Sequence, residues 1–276
     1  MRKVLLSVAP VCHETALVPE GVNVPYTPEE VAREVIECAR MGTGMVHLHV
    51  RNEKGEQTAD LSHFSRTIDL IRQESDIILQ GSTGGVAELS LEERCVSLND
   101  PRVEVASLNM GSANLGEGVY INTLPDIRYW AKRMMDAGVV PEMEIFDLSM
   151  IDSVVKIGQE GLANAPFSFN FCMGFENAIL ADPDHLSVLK RAIPAGSHWG
   201  IIHENMADLS IMAAAAGMGA STLRFGFEDS FVYGEGKLAR NNMEILKRLL
   251  SLLELMDMEP MTAGEARELM GIKSEL

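Results

Sequence analysis

The sequence predicts an α/β protein folded as a closed (β/α)8 TIM barrel with extra helices near its carboxyl end. Eight short apolar segments alternate with amphipathic segments at nearly even spacing along 276 residues. Strict strand–helix alternation indicates a parallel sheet, and eight repeats in about 250 residues are typical of a closed barrel. The rival architecture, an open doubly wound sheet, favours a Gly-x-Gly-x-x-Gly turn after the first strand. Residues 9–14 contain no glycine, so we favour the barrel.

Each predicted strand is a short apolar run bounded by polar or glycine residues. The strands are predicted at residues 4–10, 45–51, 76–82, 103–111, 139–147, 167–174, 198–204 and 222–229. Helices are predicted at residues 28–42, 61–75, 123–138, 150–161, 182–193, 208–217 and 240–256, with further helix starts at residues 90 and 262. In the first helix, Thr27, Pro28 and Glu30 fit a capping box with proline at the first helical position. No linker or internal repeat interrupts this pattern, so we expect a single domain over residues 1–276.

The charge balance excludes one class of partner. Lys and Arg number 23 against 40 Asp and Glu, which gives a formal net charge of −17. Nucleic-acid binding depends on clustered basic residues, so we expect small-molecule partners and no nucleic acid. No apolar run approaches the ~18–20 residues that span a bilayer, and the four cysteines form no Cys-x-x-Cys pair. We therefore expect a cytoplasmic protein without membrane contact or a disulfide framework.

Polar side chains recur on one face of several strands that should be buried on both faces. Successive residues of a strand point to opposite faces, so residues two apart share a face. An unpaired buried charge costs several kcal/mol, so these groups should converge at the carboxyl-terminal mouth, where TIM barrels keep their active sites. The residues of this set are His47, His49, Arg51, Ser107, Asn109, Glu142, Glu144, Arg224 and Glu228.

The His-x-His pair on the second strand is the most specific signal. His47 and His49 share a face and could bind one metal ion, although two core histidines bonded to the backbone are an alternative. Glu228 fits best as the third ligand, with His203 as the rival. Two histidines and one carboxylate suit a catalytic zinc ion, and the same set could hold Fe(II) or Mn(II). Since the sequence has no redox motif, we favour zinc.

Three further features lie where strands meet loops. Asp229 could be the N-cap of the next segment, or a general base beside the metal that Arg224 orients. Glu14 lies in the first strand–helix loop, where most carboxylates are simply solvated. The glycine-rich segment 81–85 could bind an anion through backbone N–H groups, although an ordinary tight turn is more common.

Taken together, these residues resemble the β-keto acid cleavage enzyme family. The His-x-His-x-Arg strand at residues 46–51 and the Arg-x-Gly-x-Glu-Asp segment at residues 223–229 are specific as a pair. Other similar segments lie at residues 27–30, 82–85, 106–112, 141–144 and 265–267. The sequence departs from the family pattern at residues 219–223 and at residues 198–205. His203 and Asn205, in the second of these, are candidates to face the pocket.

The resemblance implies a zinc-dependent barrel enzyme. Such an enzyme condenses a β-keto acid, for example 3-keto-5-aminohexanoate or a similar amino-bearing compound, with acetyl-CoA, and it releases acetoacetate and a new acyl-CoA. His47, His49 and Glu228 would hold one zinc ion per chain, and Asp229, assisted by Arg224, would take the proton. Glu14 and one of Glu142 or Glu144 would meet a cationic substrate tail, and Ser82 with Ser107 or Asn109 would hold the substrate. The residues expected to bind substrate are thus Glu14, Arg51, Ser82, Thr83, Ser107, Asn109, Glu142 and Glu144. The family also implies a homo-oligomer, with a tetramer expected.

Two other functions are compatible with the same motif. A metal-dependent hydrolase of the amidohydrolase type also carries His-x-His on a barrel, but on the first strand and with further histidines on the fifth and sixth. Here the motif lies on the second predicted strand, and the fifth carries Glu142 and Glu144. A non-catalytic metal-binding or metabolite-binding protein is the third hypothesis.

Overall fold

The computed structural model describes residues 1–85 and 89–273, and eight parallel strands close into a barrel. Along the chain these strands are β1 (Arg2–Val8), β2 (Met45–Leu48), β3 (Ile78–Gly81) and β4 (Val105–Asn109), then, after a hairpin of β5 (Ala113–Leu115) and β6 (Gly118–Tyr120), β7 (Val140–Ile145), β8 (Ser168–Met173), β9 (His198–His203) and β10 (Thr222–Phe225). Each strand pairs with its neighbour in this order, and β10 pairs with β1. The predicted (β/α)8 barrel is therefore confirmed.

Besides the β5–β6 hairpin, three short strands lie outside the barrel. They are β11 (Val232–Gly234) and β12 (Lys237–Leu238), which form a hairpin, and β13 (Met258–Pro260), which pairs in parallel with the start of β1. The helices are α1 (Pro28–Arg40), α2 (Ser62–Arg72), α3 (Leu91–Arg94), α4 (Leu124–Ala137), α5 (Met150–Gln159), α6 (Pro183–Ala192), α7 (Ser210–Met218), α8 (Asn242–Leu255) and α9 (Ala263–Met270), with a 3-10 helix at Val96–Asn99. None of the helices in the described residues is long and apolar enough to cross a membrane.

The helix starts follow the capping signals of the sequence. At α1 the Thr27 hydroxyl accepts the Glu30 N–H while the Glu30 carboxylate accepts the Thr27 N–H, so the predicted capping box is confirmed. The predicted helix at residue 90 also begins with a capping box, but α3 ends after four residues. The chain then tightens into the 3-10 helix, which places the Ser97 hydroxyl on the Ser82 carbonyl at 2.9 Å.

The lower end of the barrel is closed by the carboxyl-terminal segment. Leu5, Met45, Ile78 and Val105 form an apolar layer inside the barrel, and they pack against the residue that follows β13 and against α9. The packing partners are Met261, Ala263 and Ala266. This layer keeps the polar part of the barrel interior at the opposite end, where the strands finish.

Strand β10 is shorter than predicted and ends in a turn. Gly226 has a φ of +139°, and a Cβ there would lie 2.2 Å from the carbonyl oxygen of Ala9, so only glycine fits. The N–H of Asp229 then donates to the Gly226 carbonyl at 3.0 Å. Because of this turn, Glu228 and Asp229 leave the strand alternation and can face the same side.

Candidate active site

A cavity of ≈ 570 Å³ opens at the carboxyl-terminal mouth of the barrel. The loops that follow the strands, together with the β5–β6 hairpin, form its walls. The polar and aromatic residues that line it are His13, His47, His49, Arg51, Gln57, Ser82, Asn109, Tyr120, Glu144, Phe146, Phe175, Glu204, Arg224, Glu228 and Asp229. The mouth is thus where the predicted polar residues converge, as expected for this architecture.

The two histidines of the His-x-His motif point at one carboxylate. The Nε2 atoms of His47 and His49 lie 3.5 and 3.4 Å from Oε1 of Glu228, and the two rings are 5.2 Å apart. Two zinc bonds of about 2.0–2.1 Å at a tetrahedral angle separate their ligand atoms by about 3.3 Å, which matches these distances. These three residues are the one group of potential metal ligands found in residues 1–85 and 89–273. His203, the rival ligand, does not line the cavity.

The protonation states of these residues also suit a metal. Burial lowers the pKa of His47 to about 3 and lowers that of His49, so both imidazoles are neutral at pH 7. Burial acts on Glu228 in the opposite direction, but Arg224 and the two histidines hold its pKa well below the usual range. Two neutral imidazoles and a carboxylate are a suitable donor set for a divalent transition metal.

Arg224 organises the acidic side of the cavity. Its Nε and Nη2 donate to the two carboxylate oxygens of Asp229 at 3.0 and 2.7 Å. The same Nη2 donates to Glu228 at 2.7 Å, and Nη1 donates to Glu144 at 3.4 Å. One buried guanidinium therefore contacts three carboxylates, and its planar fork fixes the orientation of Asp229.

Asp229 has the properties of a general base. Burial raises its pKa to about 6, against the opposing effect of Arg224. A base with a pKa near the working pH is effective, because it is ionised and still accepts a proton. Both carboxylate oxygens are engaged by Arg224, which is not the contact that an N-cap makes.

Four of the predicted substrate-binding residues line the cavity, and four do not. Arg51, Ser82, Asn109 and Glu144 face it, and Asn109 Nδ2 donates to Glu144 at 3.1 Å. The other four are Glu14, Thr83, Ser107 and Glu142.

Thr83 and Ser107 bond to each other behind the cavity wall, with the Thr83 hydroxyl donating to the Ser107 carbonyl at 2.6 Å. Glu142 lies deeper in the barrel, where it accepts from Gln80 and Asn170. Glu14 is exposed, and its carboxylate accepts the backbone N–H of Gln57 at 2.8 Å.

Sequence analysis missed Glu204 as a cavity residue. Gly200, Ile202 and Glu204 share a face of the predicted strand at residues 198–204, and Ile202 and Glu204 line the cavity while His203 and Asn205 do not. The parity of the strand was the available signal. Burial raises the pKa of Glu204 to about 8, and the carboxylates of Asp229 and Glu228 add to this effect.

Comparison with known proteins identifies the family of this chain. A profile described as beta-keto acid cleavage enzyme matches residues 3–272. The chain belongs to this family. Its membership confirms the resemblance stated from the motifs, and with it the prediction of an enzyme.

Curated members of the β-keto acid cleavage enzyme family match over nearly their whole length. The chain is 32% identical over 275 residues to 3-keto-5-aminohexanoate cleavage enzyme of Fusobacterium nucleatum subsp. nucleatum, covering 99% of this chain and 100% of that protein. It is 34% identical over 276 residues to the enzyme of the same name from Acetoanaerobium sticklandii, covering 99% of both. A 3-dehydrocarnitine:acetyl-CoA trimethylamine transferase of Rhizobium meliloti is 28% identical, over 91% of this chain and 90% of that protein.

Solved structures agree with the fold of this family member. The structure of apo ObcA superimposes with a TM-score of 0.77 at 18% identity. The match covers 90% of this chain and 65% of ObcA. At this identity the similarity supports the barrel architecture alone.

Proposed function

We propose that this family member is a zinc-dependent acyltransferase that condenses a β-keto acid with acetyl-CoA and releases acetoacetate and a new acyl-CoA. The observation that carries the proposal is that a set of metal ligands and a carboxylate base lie side by side at the mouth of the barrel. His47, His49 and Glu228 offer a metal set, and Asp229, beside Glu228, is held by Arg224. Relatives named as acetyl-CoA transferases support acetyl-CoA as the second substrate.

The metal set suits a substrate that has two oxygens to offer. A β-keto acid presents a carboxylate oxygen and a ketone oxygen that could bind one cation together. A bound zinc ion would supply Lewis-acid polarisation of these oxygens. Zinc is proposed over iron or manganese because the distances from each histidine Nε2 to Oε1 of Glu228 match those between two ligands of a tetrahedral zinc ion.

Asp229 would perform the proton transfers. Its carboxylate takes a proton from the carbon between the ketone and the carboxylate of the substrate, and that carbon attacks the thioester carbonyl of acetyl-CoA. The CoA thiolate leaves and then attacks the original ketone carbonyl. The bond between that carbonyl and the central carbon breaks, which releases the new acyl-CoA. The central carbon recovers the proton from Asp229, and the product is acetoacetate.

The acidity of the cavity favours a substrate whose tail is cationic. Burial raises the pKa of Glu144 to about 8, which shows that its charge is poorly compensated where Arg224 alone opposes it. Glu204 lines the same cavity, and the buried Oδ1 of Asn109 has no hydrogen-bond partner among the described residues. A protonated amine would donate to these acceptors and add the missing positive charge. The amino-bearing substrate in the names of the relatives at 32% and 34% identity agrees with this proposal.

Zinc titration of chelator-treated protein tests the reaction. We expect no acetoacetate from a β-keto acid and acetyl-CoA without zinc, and restored activity at one zinc per chain. His49→Ala should lose zinc, whereas the control His203→Ala, which changes an imidazole outside the cavity, should retain it. Full activity after chelation would contradict the proposal, and hydrolysis without CoA would favour a metal hydrolase.

A matched pair of substrates tests the cationic tail. One β-keto acid carries an ammonium group on its tail, and the other carries a methyl group in its place. We expect the ammonium compound to have the lower KM, and Glu144→Gln to raise that KM more than the KM of the methyl compound. If the wild type prefers the methyl compound, the assignment of the tail is wrong.

We also propose a single-domain, cytoplasmic protein that assembles as a homotetramer. This assembly rests on family resemblance. Size-exclusion chromatography with light scattering should give four times the 30.2 kDa chain mass. A mass of one or two chains at micromolar concentration would contradict the tetramer.

A further inference from the structure

A buried chain of polar side chains runs from His47 down into the barrel. The Nδ1 of His47 lies 2.7 Å from Oε1 of Gln80, and Nε2 of Gln80 donates to Oε2 of Glu142 at 2.8 Å. Asn170 Nδ2 donates to the same Glu142 oxygen at 3.1 Å. His47, Gln80, Glu142 and Asn170 are at most 2% exposed, so water does not compete for these contacts.

The direction of each hydrogen bond in this row of side chains follows from Glu142, which lies at the end away from His47. Oε2 of Glu142 contacts the amide nitrogens of Gln80 and Asn170, and an ionised carboxylate accepts from both. With Glu142 ionised, Gln80 presents its amide nitrogen to Glu142 and its amide oxygen to His47. An amide oxygen accepts only, so Nδ1 of His47 must carry the proton. Its Nε2, which faces Glu228, is left with a free lone pair.

His49 differs from His47 in this respect. Its Nδ1 lies 2.7 Å from the side-chain amide of Gln57, which lies in the loop after β2. An amide can offer either its oxygen or its nitrogen, so this contact alone is compatible with both tautomers of His49. The residues inside the barrel therefore fix the tautomer of His47, and they do not fix that of His49.

We propose that Gln80 and Glu142 are positioning residues that hold His47 in its metal-binding tautomer. This inference rests on the proposed metal site, and it assigns to Glu142 a role that differs from substrate binding. Partners of this kind typically change metal affinity 10–100-fold when they are removed, because they fix both the tautomer and the ring orientation. Glu142 touches neither the metal set nor the cavity, and the hydrogen bonds that link it to His47 run through Gln80.

The tautomer of His47 can be read without any metal. We expect long-range 1H–15N spectra of the metal-free protein, labelled with 15N-histidine, to show the proton of His47 on Nδ1. The resonance is assigned by its loss in His47→Gln. In Glu142→Gln the side chain at position 142 can either donate to Gln80 or accept from it, so we expect a mixture of the two His47 tautomers. A proton on Nε2 in the wild type would overturn the proposal, whether or not the protein binds zinc.

Zinc affinity, measured by competition with a chromogenic chelator, is the second readout. Gln80→Met keeps the length of the side chain but removes both hydrogen bonds, and we expect zinc to bind 10–100-fold more weakly. The exchanged pair Gln80→Glu with Glu142→Gln preserves an acceptor for His47 and a donor for its partner, and it should recover most of the affinity.

Ser7→Ala is the control, because the buried Ser7 hydroxyl has no hydrogen-bond partner in the described part of the chain. Its zinc affinity should equal that of the wild type. If folded Gln80→Met binds zinc with wild-type affinity, the proposed role of Gln80 and Glu142 is wrong, while the proposed metal site stands. A wild-type protein that binds no zinc would instead refute the proposed metal site.

Discussion

The buried guanidinium of Arg224 gives a quantitative prediction for stability. Arg224→Met fills a similar volume but leaves the carboxylates of Asp229, Glu228 and Glu144 without their cation. The side chains of Arg224 and Asp229 are 4% and 3% exposed, so water cannot replace the lost contacts. Breaking one partner out of a buried ion pair costs about 3–5 kcal/mol. We therefore expect the free energy of unfolding of the metal-free protein to fall by about that amount.

The chain offers a control with the same hydrogen-bond geometry at the surface. Arg128 binds Glu160 through two N–H groups, each at 2.7 Å, but these side chains are 37% and 31% exposed. Exposed pairs contribute about 0–1 kcal/mol, so Arg128→Met should change stability little. At roughly 2–4 °C per kcal/mol, the melting temperature of Arg224→Met should fall by on the order of 10 °C.

Thermal melts followed by circular dichroism in the presence of a chelator measure both variants. The penalty of Arg224→Met should shrink between pH 8 and pH 5, because the uncompensated carboxylates take up protons. Combining Arg224→Met with Asp229→Asn should also reduce this penalty, since the second substitution removes one of the uncompensated charges. A melting temperature of Arg224→Met no lower than that of Arg128→Met would refute the reasoning.

Three further predictions follow from single residues. Gly226→Ala places a Cβ 2.2 Å from the Ala9 carbonyl oxygen, so we expect a melting temperature several degrees lower and a lower zinc affinity, because the turn presents the carboxylate of Glu228. The folded-state pKa of Glu204, about 8, lies above that of an unfolded glutamate, because the buried site favours the protonated form. The stability linked to this protonation is therefore complete at low pH and is lost as the pH rises through 8. The melting temperature of the metal-free protein should thus fall from pH 6 to pH 8.5, and Glu204→Gln should flatten that fall while the exposed control Glu235→Gln does not. Asp229→Asn should lower kcat by about 10²–10⁴-fold with zinc content unchanged, and wild-type kcat/KM should decline as pH falls through 6, where the base becomes protonated; a flat profile between pH 5 and pH 7 would argue against Asp229.

The parts of the site that depend on local periodicity were predictable from the sequence. His47 and His49 share a face because they are two residues apart across the carboxyl end of β2, and no long-range information is needed for that inference. The same holds for Glu204, whose parity with Ile202 could have been used. The capping box at Thr27 depends on contacts within four residues, and it was predicted for the same reason.

Depth within the barrel was not predictable. Glu142 and Glu144 share a face, but the sheet register places Glu142 opposite Ser107 and Glu144 one layer higher, opposite Asn109. Register depends on neighbouring strands that are distant in sequence, so a single strand pattern cannot tell a cavity residue from one beneath it.

The geometry of short turns was equally inaccessible from the sequence. The prediction of a continuous strand at residues 222–229 placed Glu228 and Asp229 on opposite faces, yet both contact Arg224. The close approach of Gly226 to Ala9, which causes this, involves residues more than 200 positions apart. The hairpins and β13 were missed because their two- and three-residue strands are too short for a period to be visible.

The pairing of β13 with β1 has a consequence for how the polypeptide is synthesised. Met258 pairs with Arg2, and Lys3 contacts both Glu259 and Glu265, so the first strand pairs with residues that the ribosome makes more than 250 positions later. Until those residues emerge, the edge of β1 and the apolar layer around Leu5 stay uncovered, and such surfaces favour aggregation. Nascent chains released early would therefore depend on chaperones far more than the finished enzyme does.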